Sequence, residues 1–212
     1  MAGLFITFEG GEGSGKTTQV ERLAAALEAR GRDVHVTREP GGTTGADILR
    51  ELVLSGAARQ FGNDIEAVLF AAARADHVAA VIAPNLAGNV DVICDRFIDS
   101  TRVYQGRDDN GPFLAALEKA VLQGHQPDLT FILDLPADVG LARANARRGN
   151  VNADRFESEE TEIHEARRQR FLAIARKEPQ RCHVIDAQRP IAEVAAEILV
   201  KVDMFFLQST GE

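Results

Sequence analysis

A strand that runs into a glycine-rich turn and then into a helix constrains a fold more than any composition does, and residues 4–18, LFITFEGGEGSGKTT, have that form. Gly10, Gly15, Lys16 and Thr17 stand at the spacing G-x-x-x-x-G-K-[ST], and Gly11, Glu12, Gly13 and Ser14 between them add little bulk. The apolar run 4–8 before the turn and the helical pattern after it supply the context such a motif needs. Small residues let backbone N–H groups converge on phosphate oxygens, and the start of the next helix adds the positive end of its dipole. The motif predicts that Lys16 bridges the β- and γ-phosphates of a triphosphate and that the Thr17 hydroxyl holds Mg²⁺.

Past the loop, residues 16–30 carry Val20, Leu23, Ala24 and Leu27 at helical spacing, closed by Gly31. Residues 34–37 read as a short strand, and Arg38 to Thr43 as a loop by their Pro-Gly-Gly content. Helical patterns cover 46–54 and 64–82, the second stopped by Pro84. Residues 90–94 form a buried strand ending in Asp95-Arg96-Phe97. The run 99–111 is polar and punctuated by glycine, with a helix following near 113–122 and a strand at 129–133. A helix at 139–147 leads into the glycine- and polar-rich stretch 148–156; helix 160–176, strand 183–185 and helix 191–206 close the chain. About five strands alternating with helices predict an α/β fold of P-loop NTPase type. The expected architecture is a mainly parallel central sheet with helices on both faces and a mobile stretch at 148–156, in one domain over residues 1–212.

At 212 residues and 45% hydrophobic the chain can bury one substantial core. A formal charge of −8 excludes a general nucleic-acid or anionic-membrane surface, so an anionic ligand must meet local positive charge. That charge is mostly arginine, twenty residues against four lysines, and arginine forks match phosphate oxygens. Cys94 and Cys182 lie in short apolar runs as core residues, which suits a reducing cytoplasm, and the five histidines show no metal-ligand spacing. Only the short five-residue run 4–8 leads up to Glu9, so neither a secretory segment nor a membrane span is expected there.

By Asp95-Arg96-Phe97 the chain carries more than a phosphate loop, and over most of its length it resembles bacterial thymidylate kinase. The resemblance rests on Phe8-Glu9-Gly10 with the loop, Thr37-Arg38-Glu39-Pro40-Gly41-Gly42-Thr43, Phe70-Ala71-Ala72-Ala73-Arg74, and Asp95-Arg96-Phe97. Ser100-Thr101, Tyr104-Gln105-Gly106 and Asp154-Arg155-Phe156-Glu157 complete it. It implies transfer of the ATP γ-phosphate to dTMP, giving dTDP, with Mg²⁺ as cofactor. It also implies a homodimer, for which the stripe Ala67, Phe70, Ala71 and Val78 is the helical face expected to be shared.

The resemblance assigns ATP to Gly10, Gly11, Glu12, Gly13, Ser14, Gly15, Lys16, Thr17 and Thr18. It assigns dTMP to Glu12, Arg38, Phe70, Arg74, Arg96, Ser100, Tyr104 and Gln105. Arg96 and Arg38 would hold the 5′-phosphate, Phe70 would lie against thymine, Arg74 would reach its O4 and Gln105 its N3–O4 edge. Tyr104 would close the sugar side, Glu12 would accept from the 3′-OH, and Asp95 would hold a water of the Mg²⁺ shell. Residues 143–157 resemble the family's lid. Gly13 stands where one branch of the family has a loop arginine, so the catalytic set is expected to be Lys16, Arg96 and the lid arginines Arg147 and Arg155. The adenine pocket is assigned to residues 186–190.

Two other readings share the loop. Another P-loop nucleoside monophosphate or deoxynucleoside kinase differs only in acceptor. A GTP-dependent switch needs an Asn-Lys-x-Asp that is absent, and Asp108-Asp109-Asn110-Gly111 does not follow a buried strand.

Overall fold

Alternation of side chains along each strand gives the sheet two buried faces. The computed structural model describes residues 3–148, 156 and 159–210. Its strands are β1 (Phe5–Gly10), β2 (Val34–Arg38), β3 (Asp91–Asp95), β4 (Leu129–Asp134) and β5 (Cys182–Asp186). All run parallel, in the order β2-β3-β1-β4-β5. The helices are α1 (Lys16–Glu28), α2 (Thr44–Leu54), α3 (Asn63–His77), α4 (Ala83–Ala87), α5 (Ile98–Tyr104), α6 (Gly111–Leu122), α7 (Ala137–Arg148), α8 (Thr161–Lys177) and α9 (Ile191–Thr210). Parallel neighbours need crossovers, and these cover both faces of the sheet.

On β1, Ile6 and Phe8 face a layer made by α1 and α9 through Val20, Leu23, Leu27, Val194, Ile198 and Val202. Phe5 faces the other layer, in which α3, α4, α5 and α6 contribute Ala71, Leu86, Ile98, Val121 and Leu122. On that second layer α8 joins α5 and β4 through Phe171, Val103 and Ile132. The strand order reverses at β1, so the loops leaving β1 and β3 part over a crevice at the carboxyl ends, the place where open α/β sheets bind ligands.

Four features depart from expectation. Pro84 does not stop the helix: after α3 a wide π turn, Val78–Ile82, resets the register and α4 begins with Pro84 in its first turn, where a missing N–H costs nothing. The polar run 99–111 contains α5, whose N-terminus is satisfied by a carboxylate from β1. Residues Ala57–Phe61 form an unanticipated 3₁₀ helix. Ala67, Ala71 and Val78 are 5% exposed or less, so the stripe expected to be shared with a second copy is used up in the chain's own core.

Cys94 and Cys182 are buried and unpaired. Among the described residues no helix is long and apolar enough to cross a membrane. Residues 149–155, Arg155 among them, and residue 157 of the expected lid lie outside the described residues.

Candidate active site

The phosphate loop owes its shape to two glycines. Gly15 caps α1 at φ +92°, a left-handed conformation that a side chain would strain. Gly13, at φ +66°, abuts the first turn of α7: a Cβ there would stand 2.0 Å from the Gly140 carbonyl oxygen, and one on Gly140 would stand 2.3 Å from that of Glu12. Loop and helix therefore interlock through bare backbone.

Inside the loop the Lys16 ammonium donates to the Gly10 and Gly11 carbonyls at 3.2 and 2.8 Å. Burial, with repulsion from Arg96, pulls its pKa down to about 8 against the attraction of Glu12 and Asp95. Thr17 Oγ1 donates to Asp95 Oδ2 at 2.7 Å, joining the start of α1 to the end of β3.

Arg96 follows Asp95 at φ +70°, an uncommon conformation for a residue with a side chain. Its Nη1 donates to the Gly10 carbonyl at 3.0 Å and to Ser100 Oγ at 3.3 Å, and its Nη2 to Glu12 Oε1 at 2.6 Å. The Tyr104 hydroxyl donates to the same Glu12 oxygen at 3.0 Å. Burial alone would push Glu12 up, but the charges of Arg96 and Lys16 and the Tyr104 hydroxyl outweigh it and hold the carboxyl at about 2.

These side chains share one cleft. Lining it are Glu12, Gly13, Gly15, Lys16, Thr17, Arg38, Phe70, Arg74, Asp95, Arg96, Ser100, Tyr104, Gln105 and Arg147. Of the other residues expected at the site, Gly10, Gly11 and Ser14 belong to the loop without lining the cleft, and Ser14 Oγ donates to the Gly11 carbonyl at 2.9 Å. Thr18 is exposed on α1 away from the cleft.

Two basic elements behave differently from one another. Arg38 and Arg147 are exposed at the rim. Arg74 is 3% exposed and almost fully engaged: Nε and Nη2 meet Glu39, Nη2 also donates to the Phe97 carbonyl, and Nη1 donates to Thr101 Oγ1. Glu39 in turn meets His77 Nδ1 at 3.0 Å. Of the five guanidinium hydrogens one, on Nη1, has no partner among the described residues. Gln105 is 2% exposed, and its amide nitrogen has no partner among the described residues.

A family model described as thymidylate kinase matches residues 8–198, nearly the whole chain. The chain belongs to the thymidylate kinase family. A thymidylate kinase of Caulobacter vibrioides is 54% identical over 198 residues, covering 92% of this chain and 94% of the relative. One from Nitrobacter winogradskyi is also 54% identical, covering 92% of this chain and 86% of its own length. The crystal structure of the Ehrlichia chaffeensis thymidylate kinase superposes with a TM-score of 0.74 at 34% identity, covering 95% of this chain and 99% of that one.

Three residues that line or support this cleft are not singled out by sequence reasoning. Glu9 enters the sequence reading only within Phe8-Glu9-Gly10, although a lone carboxylate in an apolar strand is a signal in itself. Glu39, likewise inside a quoted motif, is the buried partner of Arg74. Arg167 on α8 lies over the Tyr104 ring at 4.3 Å, with Arg96 over it at 5.4 Å. Nothing in the helical pattern of α8 marks Arg167 out from its charged neighbours.

Proposed function

We propose that the cleft holds the ATP triphosphate over the Lys16 loop and dTMP between Arg96 and Tyr104, and that the protein so arranged performs its family's phosphorylation of dTMP to dTDP in dTTP biosynthesis. One observation carries this reading: the phosphate loop and the acceptor-side set Arg96, Ser100, Tyr104 and Gln105 line the same cleft.

The acceptor is a phosphate monoester with a second pKa of about 6, so near pH 7 it is already a nucleophilic dianion. No general base is required. The site must position two polyanions and screen their repulsion. Arg96, Ser100 and Arg38 take the acceptor phosphate, and Lys16 takes the β- and γ-phosphates. Thr17 and, through a water, Asp95, which meet at 2.7 Å, would hold Mg²⁺, and that ion when bound would supply positive charge to the triphosphate. Glu12 Oε1 is occupied by Arg96 and Tyr104, which leaves Oε2 for the deoxyribose 3′-OH. Arg74 and Gln105 read the base and Phe70 packs against it. The segment 186–190, tied to α7 by Arg143 donating to the Ala187 carbonyl at 3.2 Å, forms the adenine wall. ADP release measured over a panel of nucleoside monophosphates tests the whole reading: dTMP is the best acceptor, and preference for any other would overturn it.

Lys16 makes ATP binding pH-dependent. With its pKa at about 8, the loop lysine is charged below that value and progressively neutral above it. A polyanionic ligand favours the charged form, so ATP affinity holds below pH 8 and falls as pH rises through 9. An ATP titration across pH 7 to 9 with a flat Kd would contradict this.

Arg147 and Arg155 act as lid arginines on the charge that develops during transfer. Arg147→Ala lowers kcat by up to about 10³-fold while changing the KM for dTMP far less. A change confined to the KM for ATP would make the residue a binding clamp instead.

The protein works in the cytoplasm as a homodimer. Among the exposed apolar residues, Ile48 and Leu52 on α2, Phe61, and Ile65 and Val68 on α3 lie on adjoining elements, and they are assigned the pairing face. Light scattering at micromolar concentration gives twice the 23.0 kDa chain mass; Val68→Glu shifts it toward the monomer. A wild-type monomer would remove this part of the reading.

A further inference from the structure

Glu9 is the only carboxylate on β1, and it is fully buried. Its hydrogen-bond partners are all neutral: Oε1 accepts the backbone N–H groups of Phe97 at 2.9 Å and Ser100 at 3.0 Å, and Oε2 lies 2.6 Å from Ser100 Oγ. The titratable groups that face it are Asp99 on α5, Arg96 in the turn after β3, Lys16 at the start of α1 and the Cys94 thiol on β3. Asp99 is itself paired with Arg102 and Arg181, so a negative charge persists beside Glu9.

The 2.6 Å contact between Glu9 and Ser100 holds a single proton, and who owns it decides what Ser100 offers the cleft. Ser100 Oγ already receives a hydrogen from Arg96. Where the shared proton is the serine's own, it points at Glu9, and an anion in the cleft meets only lone pairs. Where it belongs to Glu9, the carboxyl donates to Ser100 and the hydroxyl hydrogen turns outward. Only the second arrangement gives a phosphate a donor.

We propose that Glu9 takes up one proton from solvent when the acceptor phosphate binds, so that it donates to Ser100 and makes Ser100 Oγ a donor to that phosphate. Glu9 is a positioning residue that never touches substrate, and the inference rests on the placement of the acceptor at Arg96 and Ser100 above. Burial, reinforced by Asp99, pushes the carboxyl up to about 7 against the Ser100 hydrogen bond and the Arg96 charge, so at pH 8 it enters ionised. The dTMP phosphate, with its second pKa of about 6, is then fully dianionic and contributes no proton of its own.

Calorimetric titration of dTMP at pH 8, in two buffers of different ionisation enthalpy, reads the uptake directly. The expected value approaches one proton per dTMP, and the Kd weakens about tenfold per pH unit from 8 to 9. Glu9→Gln keeps an acceptor for both N–H groups and presents a permanent donor to Ser100. It binds dTMP without proton uptake and with a flat Kd over that range. Ser100→Ala loses the uptake as well, and serves if the glutamine variant does not fold. Zero uptake by the wild type overturns the proposal; so does undiminished uptake in Glu9→Gln, which would assign the proton to Lys16. A wild-type protein that fails to bind dTMP at all would strike down the acceptor site itself, and this relay with it.

Discussion

Replacing Lys16 with alanine lowers kcat by on the order of 10³-fold or more while the protein stays folded. The ammonium is the only cation the phosphate loop contributes, and its removal leaves the migrating phosphoryl group without that charge. Arg96 cannot substitute for it, because its bonds to Gly10, Ser100 and Glu12 hold the guanidinium in place, where it serves the acceptor phosphate. Loop shape, by contrast, survives. The Gly10 carbonyl still accepts from Arg96 and the Gly11 carbonyl from Ser14 Oγ, so neither buried acceptor is orphaned. Thermal melting beside steady-state kinetics separates the two effects. Turnover within tenfold of wild type would end the assignment of Lys16 to the transferred phosphate.

Discrimination against dCMP is the other large effect: kcat/KM falls about 10⁴-fold from dTMP to dCMP, but only roughly 10- to 200-fold from dTMP to dUMP. dUMP lacks one methyl group, a modest apolar loss. dCMP presents an amino group where thymine has O4, and Arg74 can only donate. Its guanidinium is pinned by Glu39, Thr101 and the Phe97 carbonyl, so it cannot turn aside, whereas the Gln105 amide can present either end. The same pinning changes what a mutation at Arg74 means. Arg74→Gln narrows the dTMP/dCMP ratio, but it also strips buried Glu39 of its arginine and leaves it only His77, a loss of about 3–5 kcal/mol in stability. The three acceptors must therefore be compared well below the lowered melting temperature. A wild-type ratio for dTMP over dCMP below tenfold would remove Arg74 from base reading.

What could be read from the chain depended on how local its cause was. The loop, the buried strands and α1 follow from runs and spacings within a few residues, and the sheet assembled from them is parallel throughout, as the alternation with helices implies. Helix α5 could not be read, because the run 99–111 in which it lies is mostly polar and what satisfies its N-terminus is Glu9, nearly ninety positions earlier. The apolar stripe of α3 was visible, yet periodicity alone does not tell a core face from a pairing face. Arg74 lines the cleft, but its engagement with Glu39 depends on a contact between α3 and the end of β2 that no spacing encodes. Arg167 reaches Tyr104 from α8, a helix whose charges look alike in sequence.

The interlock of Gly13 with Gly140 governs how such a kinase can be remodelled. An arginine in the loop must first place its Cβ where the Gly140 carbonyl oxygen stands, in a backbone conformation that a side chain strains. That room opens only if α7 backs away from the loop by more than an ångström. Yet α7 is the helix that delivers Arg147 to the cleft rim. A cation gained in the loop is therefore a cation withdrawn from the lid side: the two arrangements compete for one gap, and no single substitution leads from one to the other.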